Sequence, residues 1–255
     1  MRPDVPTPTL PPGYRMRPLR AADTPLTARL HRELLGNGLF PSLGTAFVAR
    51  WHRTFLDTPA ALGLAVVHDG RLVAFLLASL DQRLYLHHTL RRHRRALLWR
   101  GALGLLARPH VLVRFLRTRV PSYARHLLPR RLGGRGPDGG AASDEGPPVE
   151  RRVRVAVLHA VVTVPLARGH GCARELVSTL VAAARAARAD HLALVTDTTD
   201  PALGLPAAGA AAMYEKMGWV RTGVRRHRDG RWVAEYRYEL AGDAGDRQEG
   251  VERQA

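Results

Sequence analysis

Lysine is nearly missing from this chain: of its 39 basic residues, all but Lys216 are arginines. Cysteine is as scarce, and Cys172 by itself can build neither a disulfide framework nor a metal site. Aromatic residues make up only 6% of the 255 residues, too few for a base-stacking nucleic-acid platform. Hydrophobic residues amount to 45%, yet no unbroken apolar run approaches the ~18 residues of a membrane span. The opening MRPDVPTPTLPPGYR holds Asp4 and five prolines, which is no secretory leader. A soluble globular protein in the cytoplasm is the expectation, with one large core or at most two small ones.

Acidic residues are outnumbered, and the net charge is +17. Enrichment in Arg, Ala, Gly, Pro and Leu is what a GC-rich genome produces, so the clustering of charge says more than its total. From Gln82 through Gly136 the chain carries fourteen arginines and no Asp or Glu.

The chain is organised around 155–180, VAVLHAVVTVPLARGHGCARELVSTL. A Val-rich run breaks at Pro165, passes through Arg168-Gly169-His170-Gly171-Cys172-Ala173 and continues in a helical pattern. Strand, glycine turn and helix N-terminus in that order form an anion site, since the helix's first N–H groups point at the ligand. A Walker loop would need Lys and Ser/Thr after its last glycine. A dinucleotide fingerprint would need a third glycine. Neither is present. What fits is R-x-x-G-x-A on Arg168, Gly171 and Ala173, followed about forty residues on by Ala210-Ala211-Ala212-Met213-Tyr214-Glu215-Lys216-Met217-Gly218-Trp219.

These two ordered motifs resemble the acetyl-CoA pyrophosphate loop and the Tyr-containing helix of the GNAT superfamily of N-acetyltransferases, a likeness extending over roughly 14–240. It implies a mixed α/β fold, with a mostly antiparallel sheet flanked by helices. The family's fourth and fifth strands splay apart, and the fourth accepts the pantetheine arm, a part that Val162, Thr163 and Val164 would take. Acetyl-CoA would lie on Arg168, Gly169, His170, Gly171, Cys172 and Ala173, with no metal. Tyr214 would protonate the leaving thiolate. The implied reaction is direct attack of an amine, from a small molecule, an amino sugar or a protein, on the thioester. Ala207 replaces the asparagine that usually opens the tyrosine's helix, and the loop 198–206 is longer than usual.

Periodicity supplies the elements. A disordered arm over 1–13 precedes a strand at 14–20 and helices from Asp23 or Thr24 to Gly36 and over 42–57. Strands at 62–68 and 71–80 flank Asp69-Gly70, a two-residue hairpin signal. An arginine-studded helical insertion, 84–128, follows the third strand, with Leu90, Leu97, Leu98, Leu103, Leu105 and Leu106 as its apolar stripe. A Gly/Pro-rich linker spans 132–148. Strand 153–164, helix 171–189, strand 191–196, helix 207–217, a hairpin of 219–226 with 231–240, and a frayed tail over 241–255 complete the chain.

His159 lies mid-strand in an apolar run, where a charged imidazole is costly. It is either a base for the acceptor ammonium, the role of a histidine at this distance before the loop in arylalkylamine acetyltransferases, or a satisfied core histidine. Asp197 either reads the substrate's ammonium group or caps its loop. The competing function is an inactive fold whose basic insertion docks on nucleic acid or an anionic membrane. A lid over the acceptor site is the third use for that insertion, and a homodimer is the assembly left open.

Overall fold

The computed structural model describes residues 10–36, 39–106, 153–199, 207–227 and 230–240. Their order is β1 (Tyr14–Pro18), α1 (Thr24–Leu34), α2 (Leu39–Ser42), α3 (Thr45–Thr54), β2 (Ala61–His68), β3 (Arg71–Ser79) and α4 (Gln82–Leu106). β4 (Val155–Thr163), α5 (Cys172–Ala186), β5 (His191–Thr198), α6 (Gly209–Lys216), β6 (Val220–Arg226) and β7 (Trp232–Glu239) follow. The strands form a seven-stranded sheet ordered β1-β2-β3-β4-β5-β7-β6. Only the β4–β5 pair is parallel.

The β2–β3 turn has φ 49° at Asp69 and 74° at Gly70, the doubly positive backbone a tight hairpin needs and that Asp-Gly accepts. Alternation then buries both faces of the sheet. Leu64, Val66 and Leu76 join Leu176, Leu180, Tyr214, Trp219 and Tyr236 in the larger cluster. Ala65, Phe75 and Leu77 join Leu19, Phe55 and Tyr85 on the other side.

β4 changes face midway. Its register against β3 skips from Leu158 to Ala160, leaving His159 as the extra residue of a β-bulge. A bulge of this kind inverts the alternation beyond it. Leu158 packs in the larger cluster, whereas Ala160 and Val162 pack in the second, with Phe55 and Tyr85.

Two helical expectations change. The helix expected over 42–57 is shorter: α3 begins at Thr45, after Gly44, whose φ of 100° no helix can contain, and ends at Thr54. The stripe expected on α4 is rotated: Leu90, Leu98 and Leu103 are exposed, and the buried positions are Tyr85, Thr89 and His93, with Leu97 packed against Phe47. That seam is held by polar bonds. Thr54 Oγ1 meets Tyr85 Oη at 2.8 Å, and Arg50 Nη2 donates to His93 Nδ1 at 2.9 Å. The side chains of Leu105 and Leu106, the remainder of the 84–128 segment and the linker 132–148 lie outside the described residues, as do 1–9 and 241–255. Of the arm expected over 1–13, Leu10 packs against the larger cluster. No helix among the described residues is long and apolar enough to cross a membrane.

Candidate active site

The glycine loop is built as its sequence suggests. β4 ends in a 3₁₀ turn at Pro165–Ala167, and Gly169 and Gly171 follow with φ of 81° and 76°. These left-handed values suit glycine alone without cost. A Cβ built on either meets no atom within 4 Å, so the loop's outer surface is open. α5 closes its first bond with the Glu175 N–H donating to the Gly171 carbonyl at 3.0 Å. The N–H groups of Cys172, Ala173 and Arg174 therefore precede the helical ladder and remain for an anion. Arg168 and Arg174 are exposed beside them.

β4 and β5 pair only at Val155–His191, Ala156–Leu192 and Val157–Ala193. Beyond these the strands part, because β5 stays with β7 as far as Thr198–Trp232. A cleft of about 670 Å³ opens there, walled by Val161, Thr163, Arg168, Gly171, Ala173 and Met213 among others. The Val164 N–H donates to the Val73 carbonyl at 2.9 Å, which corrects the expected use of 162–164. Strand alternation turns the Val162 backbone toward β3 as well, leaving Val161 and Thr163 to face the opening. Val162 contributes wall only, and Val164 and His170 do not line the cleft. Thr163 Oγ1 is buried with no partner, an orphaned polar atom at the cleft wall. Val161 and Arg174 were missed in the sequence. Counting by two from Thr163 and one turn past the loop would have found them.

A second cavity, about 720 Å³, adjoins the cleft and shares Leu34, Leu35, Gly209 and Ala210 with it. His31, His159, Val195, Asp197 and Arg231 line it. His159 Nε2 lies 3.0 Å from Gln82 Oε1 and 3.2 Å from Ser79 Oγ, whose own hydroxyl donates to Gln82 Oε1 at 2.6 Å. Gln82 Oε1 can only accept, so Nε2 carries the proton and Nδ1 the lone pair. The ring packs against Phe55 and Tyr85, with centroids 5.1 and 5.5 Å away, and burial lowers its pKa to about 4. The imidazole is thus both bonded in the core and open to the cavity, so the two sequence readings are not exclusive. Asp197 pairs with Arg231 at the cavity wall.

Tyr214 is buried in the core, its ring 5.6 Å from Trp219 and 6.1 Å from Tyr236, and it lines neither cavity; its neighbour Met213 lines the cleft. Burial raises the Tyr214 pKa still further, so the phenol keeps its proton. Cys172 is buried with its thiol pKa raised by the same cause, the opposite of an activated nucleophile. His170 is exposed, stacked 5.3 Å from Tyr14, with Nδ1 3.0 Å from the Arg168 carbonyl. No group of three His, Cys, Asp or Glu among the described residues could hold a metal.

The model of the Acetyltransferase (GNAT) family matches residues 134–219, the segment carrying β4, the glycine loop, α5, β5 and α6. Similar solved structures include SsHAT (16% identity, TM-score 0.54, covering 91% of this chain and 100% of that one). An aminoglycoside 6′-N-acetyltransferase complexed with coenzyme A is similar at 12% identity and TM-score 0.51, over 89% and 98% of the two chains. So is yncA from Salmonella typhimurium, solved with its cofactor acetyl-CoA, at 11% and 0.50, over 91% and 96%. No curated protein sequence is a significant match. In this segment and in its fold the chain is thus similar to the GNAT acetyltransferases.

Proposed function

We propose that this chain acetylates a primary amine, with the donor lying along Val161 and Thr163 and its pyrophosphate on the loop 168–174. The observation that carries the reading is the open β4 edge running straight into unused helix N–H groups and two exposed arginines. A bound acetyl-CoA supplies the thioester, and this chain's residues do the rest. A cleft-facing N–H of Val161 or Thr163 polarises the carbonyl, as in an oxyanion hole. The amine nitrogen bonds to the carbonyl carbon as the carbon–sulfur bond breaks. His159 Nδ1 takes the proton lost by nitrogen, directly or through water. A pKa near 4 suffices, because nitrogen becomes strongly acidic once it has bonded to carbon. The resemblance makes Tyr214 the group that returns a proton to the thiolate, a role that requires its buried phenol to reach the cleft past Met213.

The acceptor binds between α1 and β5, where Leu34, Leu35 and Val195 favour an apolar body around the amine. The six arginines of α4 are all exposed, beside exposed Leu90, Leu98 and Trp99. An anionic surface is the contact such a face would draw, and retention on anionic vesicles that vanishes with salt tests it. A cytoplasmic site of action follows from where acyl-CoA is found.

The catalytic reading is tested by thiol release from acetyl-CoA in the presence of a primary-amine panel, comparing wild type with Tyr214→Phe. Loss of about 10²-fold or more in kcat at unchanged acetyl-CoA affinity is expected for a proton donor. An unchanged kcat would leave Tyr214 a packing residue and remove it from the mechanism.

A further inference from the structure

A chain of hydrogen bonds runs from α1 through α3 and back to α1 beneath the second cavity. The Thr27 hydroxyl donates to the Thr24 carbonyl at 3.2 Å and lies 2.9 Å from His52 Nδ1. His52 Nε2 lies 3.3 Å from His31 Nδ1. Thr27 and His52 are fully buried and His31 nearly so, yet His31 lines the cavity that also holds His159.

The direction of this chain follows from its far end. A carbonyl oxygen only accepts, so in its bond to Thr24 the Thr27 hydroxyl is the donor and its single proton is spent there. His52 Nδ1 must then be the donor to Thr27, and His52 Nε2 carries the lone pair. His31 Nδ1 donates to that lone pair, which leaves His31 Nε2 without a proton. Among the described residues Nε2 has no partner. Burial supports the arrangement, since it lowers His52 to about 3 and His31 to about 4 and keeps both rings neutral. Trp51 fixes the His31 ring edge-on at 5.5 Å and approaches His159 from its other side at 6.4 Å.

We propose that His31 Nε2 is the hydrogen-bond acceptor that seats the substrate amine in this cavity, its lone pair held toward the amine by Thr27 and His52. The amine's N–H bonds to His31, which leaves the nitrogen lone pair free for attack, while His159 waits for the proton released afterwards. Thr27 and His52 are positioning residues acting through His31. The inference rests on the acyltransferase reading above.

Thr27→Val is the direct test, because it keeps shape but removes the oxygen that orders the chain. His52 then loses its acceptor at Nδ1 and turns its proton to Nε2, and His31 in turn presents an N–H to the amine, competing for the lone pair needed in attack. Nitrogen-15 NMR at pH 7 should show His31 as the Nδ1–H tautomer in wild type and as Nε2–H in Thr27→Val. With whichever of 2-phenylethylamine, spermidine, glucosamine or a lysine peptide releases most thiol, kcat/KM for the amine should fall about tenfold in Thr27→Val. His31→Ala should fall at least as far, Thr27→Ser should restore the rate, and acetyl-CoA affinity should hold throughout. A wild-type His31 found as Nε2–H, or a Thr27→Val enzyme with unaltered kcat/KM, would overturn the inference and leave the acyltransferase standing. Absence of turnover with every amine, in a protein that also fails to bind acetyl-CoA, would overturn both.

Discussion

His159 is neutral at pH 7 because its ring is packed among Phe55, Tyr85 and Trp51, not because a partner charge holds it so. The cause is desolvation, which penalises the imidazolium and brings its pKa to about 4. The acid limb of kcat/KM that belongs to this enzyme group should therefore fall near pH 4, well below the ordinary histidine value of about 6.5. The profile is to be measured with two amines of different basicity, so that the substrate's own ionisation moves and the enzyme's does not. An enzyme limb between pH 6 and 7 that ignores the amine would mean that His159 titrates as a solvated residue and that its packing has been misassigned. Tyr236 shows the same control on the other face: burial, then its bond to Glu215 Oε1 at 2.8 Å, pushes it up to about 12.

α4 meets α3 along Tyr85, Thr89, His93, Leu97 and Gly101, a four-residue repeat with polar members in its middle. At Gly101 an added Cβ would sit 3.5 Å from the Phe47 ring, ordinary van der Waals contact, on a helical backbone. Gly101→Ala should thus stabilise the protein by about 0.5–1 kcal/mol through helix propensity, raising Tm by about 1–4 °C. A lower Tm would show that the α3–α4 seam is tighter than its distances indicate. This seam also marks where reading the sequence stops. Asp69-Gly70, the glycine loop and the cap at Gly218 (φ 84°) were legible because a few adjacent residues decide them. The rotated stripe of α4 was not, because a buried Thr–His face reads as polar until Arg50, Thr54 and Asp57 are known to meet it. The bulge at His159 was not legible either. It is a register choice made with β3, and it decides that Val161 rather than Val162 turns its backbone to the cleft. Tyr214 was located by its motif, yet its burial beside Trp219 and Tyr236 depends on the pairing of β5 with β7.

At the scale of the whole molecule, three buried histidines on one side of the sheet tie stability to pH. His31, His52 and His159 have folded-state pKa values of about 4, 3 and 4, all depressed chiefly by burial. Between the unfolded value of about 6.5 and these, the unfolded chain binds protons that the folded chain refuses, so stability falls as pH falls. Each group contributes up to about 1.4 kcal/mol per pH unit within that window. Tm should decline steeply from pH 6.5 toward 4 and change little from 7 to 8. A Tm that is flat or rising between pH 6.5 and 5 would contradict the burial of this cluster. The net charge of +17 does not by itself define a partner, since its α4 portion stands on the opposite side of β4 from the glycine loop's ladder of N–H groups. What defines the molecule is the opening between β4 and β5 and the helix N-terminus at its mouth. The most direct test is calorimetric titration of acetyl-CoA into wild type and Ala173→Glu. The new carboxylate sits in the first turn of α5, where it favours the helix dipole and keeps the fold, but it faces the site of the pyrophosphate. Saturable one-to-one binding by wild type, weakened more than tenfold in Ala173→Glu at equal or higher Tm, is the predicted result. Wild-type protein that binds no acetyl-CoA, or an Ala173→Glu variant that binds it equally well, would contradict the account.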